Sequence, residues 1–251
     1  MTAATIGTIT FACTFGSAVG AAYLRDALPP QHLSKESQDV VRLGMGLVAT
    51  MTALLLGLVT ASARTSFDGN DANVRTSAVN ILALDRDLAR YGPETRSIRE
   101  LLRRAVAFRV ENTWPENGAS KGFGAPLSTN AVEEIENSIL HLSPESAAQK
   151  YFKDNELKRS DEVMKTRWRL LEGGGALPPP FLGVVMFWLT VTFASFGVYA
   201  PRNATVVSVL FIAALSVAAA VFLIVELDGP FDGLIKVSGD PLRFALANLG
   251  Q

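Results

Sequence analysis

The chain has 251 residues, 49% of them hydrophobic and only 19% charged, with a formal net charge of −1. A mean hydropathy of +0.25 with so few charges is unlike an ordinary soluble domain and places the chain in the membrane class. The near-neutral charge gives no footprint for nucleic acid or an acidic surface. The single cysteine, Cys13, excludes an internal disulfide framework and a cysteine metal site. The two histidines, His32 and His141, stand far apart without an HExxH, CxxC or EF-hand pattern, so neither a metal nor a cofactor is expected.

The first apolar segment, Ile6 to Leu24, is 19 residues long and rich in Gly, Ala, Ser and Thr. No Lys or Arg precedes it and it is too long for the apolar region of a signal peptide, so it reads as a retained span. Gly16 and Gly20 form a G-x-x-x-G pair that permits close helix contact in lipid. The connection from Arg25 to Arg42 contains Pro29 and Pro30, which forbid a continuous helix, and Ser34 is the N-cap expected for the next one. So short a loop makes the first two spans a hairpin.

The second span, Leu43 to Ala63, has 21 residues without a formal charge, enough as a helix to cross the roughly 30 Å core of a bilayer. At helical spacing one side carries Gly46, Thr50, Ala53, Gly57, Thr60 and then Arg64, while Leu47, Met51, Leu54, Leu55 and Leu58 fall mostly elsewhere. A stripe of small and hydroxylated side chains either lets another helix approach closely, which the pattern alone favours, or faces a water-filled path. Beyond Ala63, charge density rises but the helical pattern continues through Phe67, Val74, Ser77, Ile81, Leu84, Leu88 and Tyr91. One long helix is therefore expected, with Gly69 and Asn70 marking Asp68 to Asp71 as the place where it could break. Gly92-Pro93 ends it.

A further helix is expected from Pro93 to Trp114, with Ile98, Leu101, Leu102, Ala105 and Val106 inside and Arg96, Arg99, Arg103, Arg104 and Arg109 on a solvated face. After a loop from Pro115 to Ser128, helices are expected at Thr129 to Leu142 and Pro144 to Leu171, the latter anchored by Leu157, Met164, Trp168 and Leu171. Between Arg64 and Pro180, 17 Lys and Arg balance 17 Asp and Glu, which reads as a soluble helical insert. Its exit, Gly173 to Pro180, is GGGALPPP, with neither the preceding strand nor the Lys-Ser or Lys-Thr of a phosphate loop. A third span, Phe181 to Ala200, and a fourth, Ala204 to Val225, are joined so tightly by Pro201-Arg202-Asn203 that they form a second hairpin. In the tail, Asp240-Pro241 starts a helix whose apolar side is Leu242, Ala245, Leu246 and Leu249.

These elements specify an all-α integral membrane protein. Residues 1–63 form the first transmembrane hairpin, 64–180 the helical cytoplasmic domain between spans 2 and 3, 181–225 the second hairpin, and 226–251 an amphipathic tail. Near the membrane, Arg64, Arg75, Lys165, Arg167, Arg169, Lys236 and Arg243 lie on the side of the insert, against Arg25, Lys35, Arg42 and Arg202 on the other. This bias puts the insert and both termini in the cytoplasm.

The segments RLGMGLVATMTALLLGLVTASA (Arg42 to Ala63), LDRDLARYGPE (Leu84 to Glu94), FWLTVTFASFGVYAPRNATV (Phe187 to Val206) and LSVAAAVFLIVELDGPFDGLI (Leu215 to Ile235) resemble a bacterial and plant membrane family described as bestrophin-like. The resemblance covers nearly the whole chain, and APRNAT and ELDxPFxGLI are its most specific marks. It implies a bacterial inner-membrane protein and a distant likeness to bestrophins, pentameric anion channels whose second span lines the pore. The chain departs from those channels in lacking an aromatic-rich neck in span 2 and an acidic calcium clasp.

The leading expectation is a homo-oligomeric ion channel, with the lipid bilayer, its own copies and the permeant ion as partners. Four helices are too few to enclose a wide path, so symmetry must supply the rest. Gly46, Thr50, Ala53, Gly57, Thr60 and Arg64 are the expected pore lining, and Arg42 and Arg202 the pore-mouth charges, which favour anions over cations. Glu226 and Asp228 at the inner mouth weigh the other way. The alternative is a non-conducting sensor or scaffold whose helical domain binds a partner. An enzyme is not expected, because no nucleophile and base pair stands near a membrane interface.

Overall fold

In the computed structural model, which describes residues 2–29, 34–115, 127–172 and 179–251, no strand occurs among those residues. His32, most of the loop expected at Pro115 to Ser128 and most of GGGALPPP lie outside the described residues. The helices are α1 (Ala3–Leu24), α2 (Lys35–Tyr91), α3 (Arg96–Thr113), α4 (Leu127–Leu140), α5 (Ala147–Glu172), α6 (Pro179–Tyr199), α7 (Ala204–Asp228) and α8 (Asp240–Asn248). Four of them, α1, α2, α6 and α7, are long and apolar enough to cross a membrane. The chain divides into two compact units, one of Met1–Thr65 with Gly175–Asp228 and one of Ser66–Gly174 with Gly229–Gln251.

In the first unit α1 packs against both α6 and α7. Thr2 starts α1 by accepting the Thr5 amide on its side chain. Phe11 and Phe15 stack at 5.6 Å and both meet Phe211 edge-on at 5.3 and 5.4 Å, beside a small core of Ala18, Phe193 and Ala214. Hydroxyls buried here bond to helix carbonyls: Thr14 donates to Thr10 O at 2.7 Å, and Ser17 donates to Thr14 O at 2.9 Å and across to Thr190 O at 3.1 Å. The close approach expected of Gly16 and Gly20 is made elsewhere. A Cβ at either meets nothing within 4 Å, whereas one at Gly197 of α6 would collide with the Ala18 carbonyl. Small residues do bring the helices together, but the residue required is on the partner helix of α1.

In the second unit the C-terminal part of α2 presents Val74, Ser77, Ile81, Leu84, Leu88 and Tyr91, all buried, as the heptad-like spacing predicts. They join Ile98, Leu102 and Val106 of α3, Ile135 and Ile139 of α4, Val163 of α5 and Leu242 and Ala245 of α8 in one core. The break expected as possible at Asp68 to Asp71 does not occur, since Asn70 is buried and its amide donates to Ser66 O one turn back, at 2.9 Å. Gly92, at φ +146, stops α2 in a conformation that a side chain would strain. Thr95 then donates its hydroxyl to Leu88 O at 2.5 Å, taking up a carbonyl of the last turn. Asp85, buried on α2, receives Arg99 of α3 through two bonds of 2.8 and 3.0 Å, and the guanidinium holds its proton more firmly for that hydrogen bond. The tail is held by Trp114, whose ring N–H donates to Val237 O at 2.7 Å and whose carbonyl receives Arg243 at 3.0 Å.

Two expectations for this unit need correction. Arg109 is buried rather than solvated, and its pKa is pushed down to about 10, first by burial and then by the nearby Arg167. Trp168 is half exposed rather than an anchor; the inner face of α5 is Glu156, Ser160, Val163, Arg167 and Leu170. Polar residues occupy positions of that face, so hydrophobic periodicity alone misses its register.

The α1–α6 contact predicts that Gly197→Val lowers stability by about 1–3 kcal/mol through overpacking. Gly16→Ala, with open space around it, leaves stability unchanged. Thermal unfolding of the purified chain compares the two, and equal melting temperatures would contradict this packing.

Candidate functional site

The candidate face lies on the N-terminal part of α2. Ser34 accepts the Ser37 amide at 3.2 Å and so caps the helix at the expected place. No proline interrupts the following 57 residues, and α2 runs unbroken to Tyr91. Within the first unit one side of the apolar segment is turned inward: Thr52 and Ala63 are buried and Met45, Val48, Ala49, Leu56 and Val59 half-buried. At about 100° per residue these residues share one face.

Gly46, Thr50, Ala53, Gly57, Thr60 and Arg64 are all exposed, on a strip centred about 100° round the helix from that buried face. About another 100° on come Leu43, Leu47, Met51, Leu54 and Leu58, also exposed, Leu54 to 75%. Thus α2 has three faces: one against its own chain, one of small and hydroxylated residues, and one of large apolar residues. A Cβ at Gly46 or Gly57 meets nothing within 4 Å, so the glycines are not required by packing inside the chain. The Thr50 and Thr60 hydroxyls donate back to Gly46 O at 2.9 Å and Leu56 O at 2.7 Å, which leaves their oxygen lone pairs outward.

The two expected mouth arginines differ in setting. Arg42 is exposed and borders a groove of about 680 Å³ lined by Met45, Gly46 and Ala49 of α2 with Phe196, Tyr199, Val206 and Leu210. Arg202 donates to the Asp26 carboxylate at 2.7 Å and to the Ala22 carbonyl, and its guanidinium lies 5.8 Å from the Tyr23 ring centre. Arg25 donates in turn to Ala200 O at 3.1 Å. Asp26 therefore offsets part of the Arg202 charge, a partner that sequence reasoning missed although it adjoins Arg25 at the end of the first span. Helix α7 runs three residues past the expected end of span 4, and Glu226 on it is buried. Among the described residues no group of three or more His, Cys, Asp and Glu could hold a metal ion.

No curated protein matches the chain. Among solved structures, two variants of a bacterial bestrophin homologue from Klebsiella pneumoniae superpose with TM-scores of 0.68 and 0.65 at 14% and 15% identity, over 99% and 98% of this chain and 97% and 99% of theirs. A structure described only as a membrane protein variant gives 0.67 at 14% identity, over 98% of this chain and 99% of its own. At such identity the likeness establishes the fold. The sequence itself matches the bestrophin-like domain over residues 12–242, and the chain belongs to that family.

Proposed function

We propose that the chain is one subunit of a homo-oligomeric ion channel of the bacterial inner membrane, with α2 lining a central pore through Gly46, Thr50, Ala53, Gly57, Thr60 and Arg64. The observation that carries this reading is the three-faced character of α2. Its own chain takes one face, the exposed leucines suit an apolar contact with lipid or a neighbouring copy, and the small hydroxylated face between them is left for the axis. The membership in the bestrophin-like family supports an ion-conducting role. In this reading four spans form two hairpins, residues 1–63 and 181–225, with a cytoplasmic helical domain at 64–180 and a tail at 226–251. The resemblance to bestrophins suggests five copies.

Anions are favoured over cations because rings of exposed Arg42 and Arg64 would stand near the two mouths. The outward lone pairs of Thr50 and Thr60 favour a cation instead. Replacing chloride by gluconate, or sodium by a bulky organic cation, across liposomes decides between them. The anion reading expects the flux to vanish with chloride and to survive loss of sodium.

Replacing Thr50 or Gly57 by Leu tests the pore. Both positions are open within the chain, so the fold is expected to tolerate the larger side chain. A hydrophobic constriction then dries the path and stops most of the flux from an oligomer of unchanged size. Normal flux removes this face from the pore. Lost assembly, at a typical cost of about 1–3 kcal/mol, would make it a packing face, and a well-assembled wild type without flux would leave the scaffold reading.

For topology, the buried Arg167 does not act at the membrane surface, so the positive bias is six against four, still toward a cytoplasmic helical domain. A cysteine placed by Ala148→Cys in a Cys13→Ser background is expected to react with a membrane-impermeant maleimide only after cells are opened. Labelling in intact cells would reverse the orientation.

A further inference from the structure

Glu156 sits on the inner face of α5 with 0% of its surface exposed, and neither carboxylate oxygen has a hydrogen-bond partner. Few arrangements are as costly as an ionised carboxylate held this way. The charges that act on it come from two helices. From α2, Asp87 faces it with a like charge, itself bound to Arg159 of α5 at 2.7 Å. Tyr91 of α2 also faces it, and this phenol is kept protonated by burial first and then by Glu156, Glu94 and Glu145. On its own helix Lys153 is the one favourable charge, but that ammonium is bound to Leu140 O and Leu142 O at the end of α4, at 2.8 and 2.6 Å. Burial, then Asp87, push the Glu156 carboxyl up to about 7, against a small opposing pull from Lys153.

We propose that Glu156 is a proton-operated latch of the helical unit: protonated, it lets α5 pack against the C-terminal part of α2, and loss of the proton loosens that contact and changes conduction. The conduction clause rests on the channel reading above, because α2 also carries the small-residue face; the packing clause does not. In the unfolded chain the carboxyl ionises near 4.5, and in the folded unit it holds its proton to about 7. The folded form therefore binds more protons between those values, so stability falls as pH rises through that window and levels off above it.

The experiment compares full-length wild type with Glu156→Gln, which keeps the shape and removes the charge, and with Asp87→Asn, which removes the like charge beside it. Thermal unfolding in detergent and ion flux from liposomes are measured between about pH 5 and pH 8. The latch predicts a falling melting temperature across this range in wild type, a flat one in Glu156→Gln, and a transition moved to higher pH relative to Glu ionisation in wild type than in Asp87→Asn. Flux changes over the same range in wild type and not in Glu156→Gln. A melting temperature that falls equally in Glu156→Gln overturns the latch. A titrating melting temperature with pH-independent flux overturns its link to conduction, and titration without flux at any pH retains the latch and overturns the channel reading.

Discussion

The structure depends on one constraint: a helix in lipid must satisfy its backbone within itself, and α2 does so without interruption for 57 residues. Its first part is uncharged from Leu43 to Ala63 and its last part is an amphipathic segment whose seam is buried in the second unit. The passage from the uncharged to the charged part of α2 falls inside one continuous helix. Within it Asn70 turns its amide back to Ser66, and the helix ends where Gly92 takes up a positive-φ conformation that a side chain would strain. The candidate face and the seam are parts of one element.

Both units bury polar groups. In the first, hydroxyls bond to backbone carbonyls, Arg202 bonds to Asp26, and Glu226 is buried. In the second, charges enter the interior: Asp85 with Arg99, Asp87 with Arg159, and Glu156 alone on both oxygens. In both pairs the carboxylate is buried and the arginine reaches solvent, so removing the arginine leaves the carboxylate desolvated.

Much of the architecture was legible in the sequence because its signals are long. Uncharged stretches of about 20 residues, the Ser34 cap, the Gly92-Pro93 stop and the Asp240-Pro241 start each have a local physical cause, and each lies where that cause puts it. What failed was the reading of faces where polar residues are buried. Arg109 and Arg167 count as surface charges on any pattern, and Glu156 and Ser160 conceal the inner register of α5. The Gly16–Gly20 pair shows the same limit, since a small-residue motif says that close contact is possible and not which helix uses it. Of the candidate site, the sequence contains the stripe, but only the fold shows that no neighbour in the chain fills the space beside Gly46 and Gly57. The partner of Arg202 was hidden because Asp26 lies 176 residues away.

The central claim is that the small, hydroxylated face of α2 surrounds an axis shared by identical subunits. A reconstruction of the purified, lipid-embedded assembly tests it most directly. The account predicts a ring with Gly46, Thr50, Ala53, Gly57 and Thr60 turned to the symmetry axis and Leu47, Met51, Leu54 and Leu58 turned away from it. A monomer, or a ring whose axis is lined by those leucines or by α6 and α7, would contradict it.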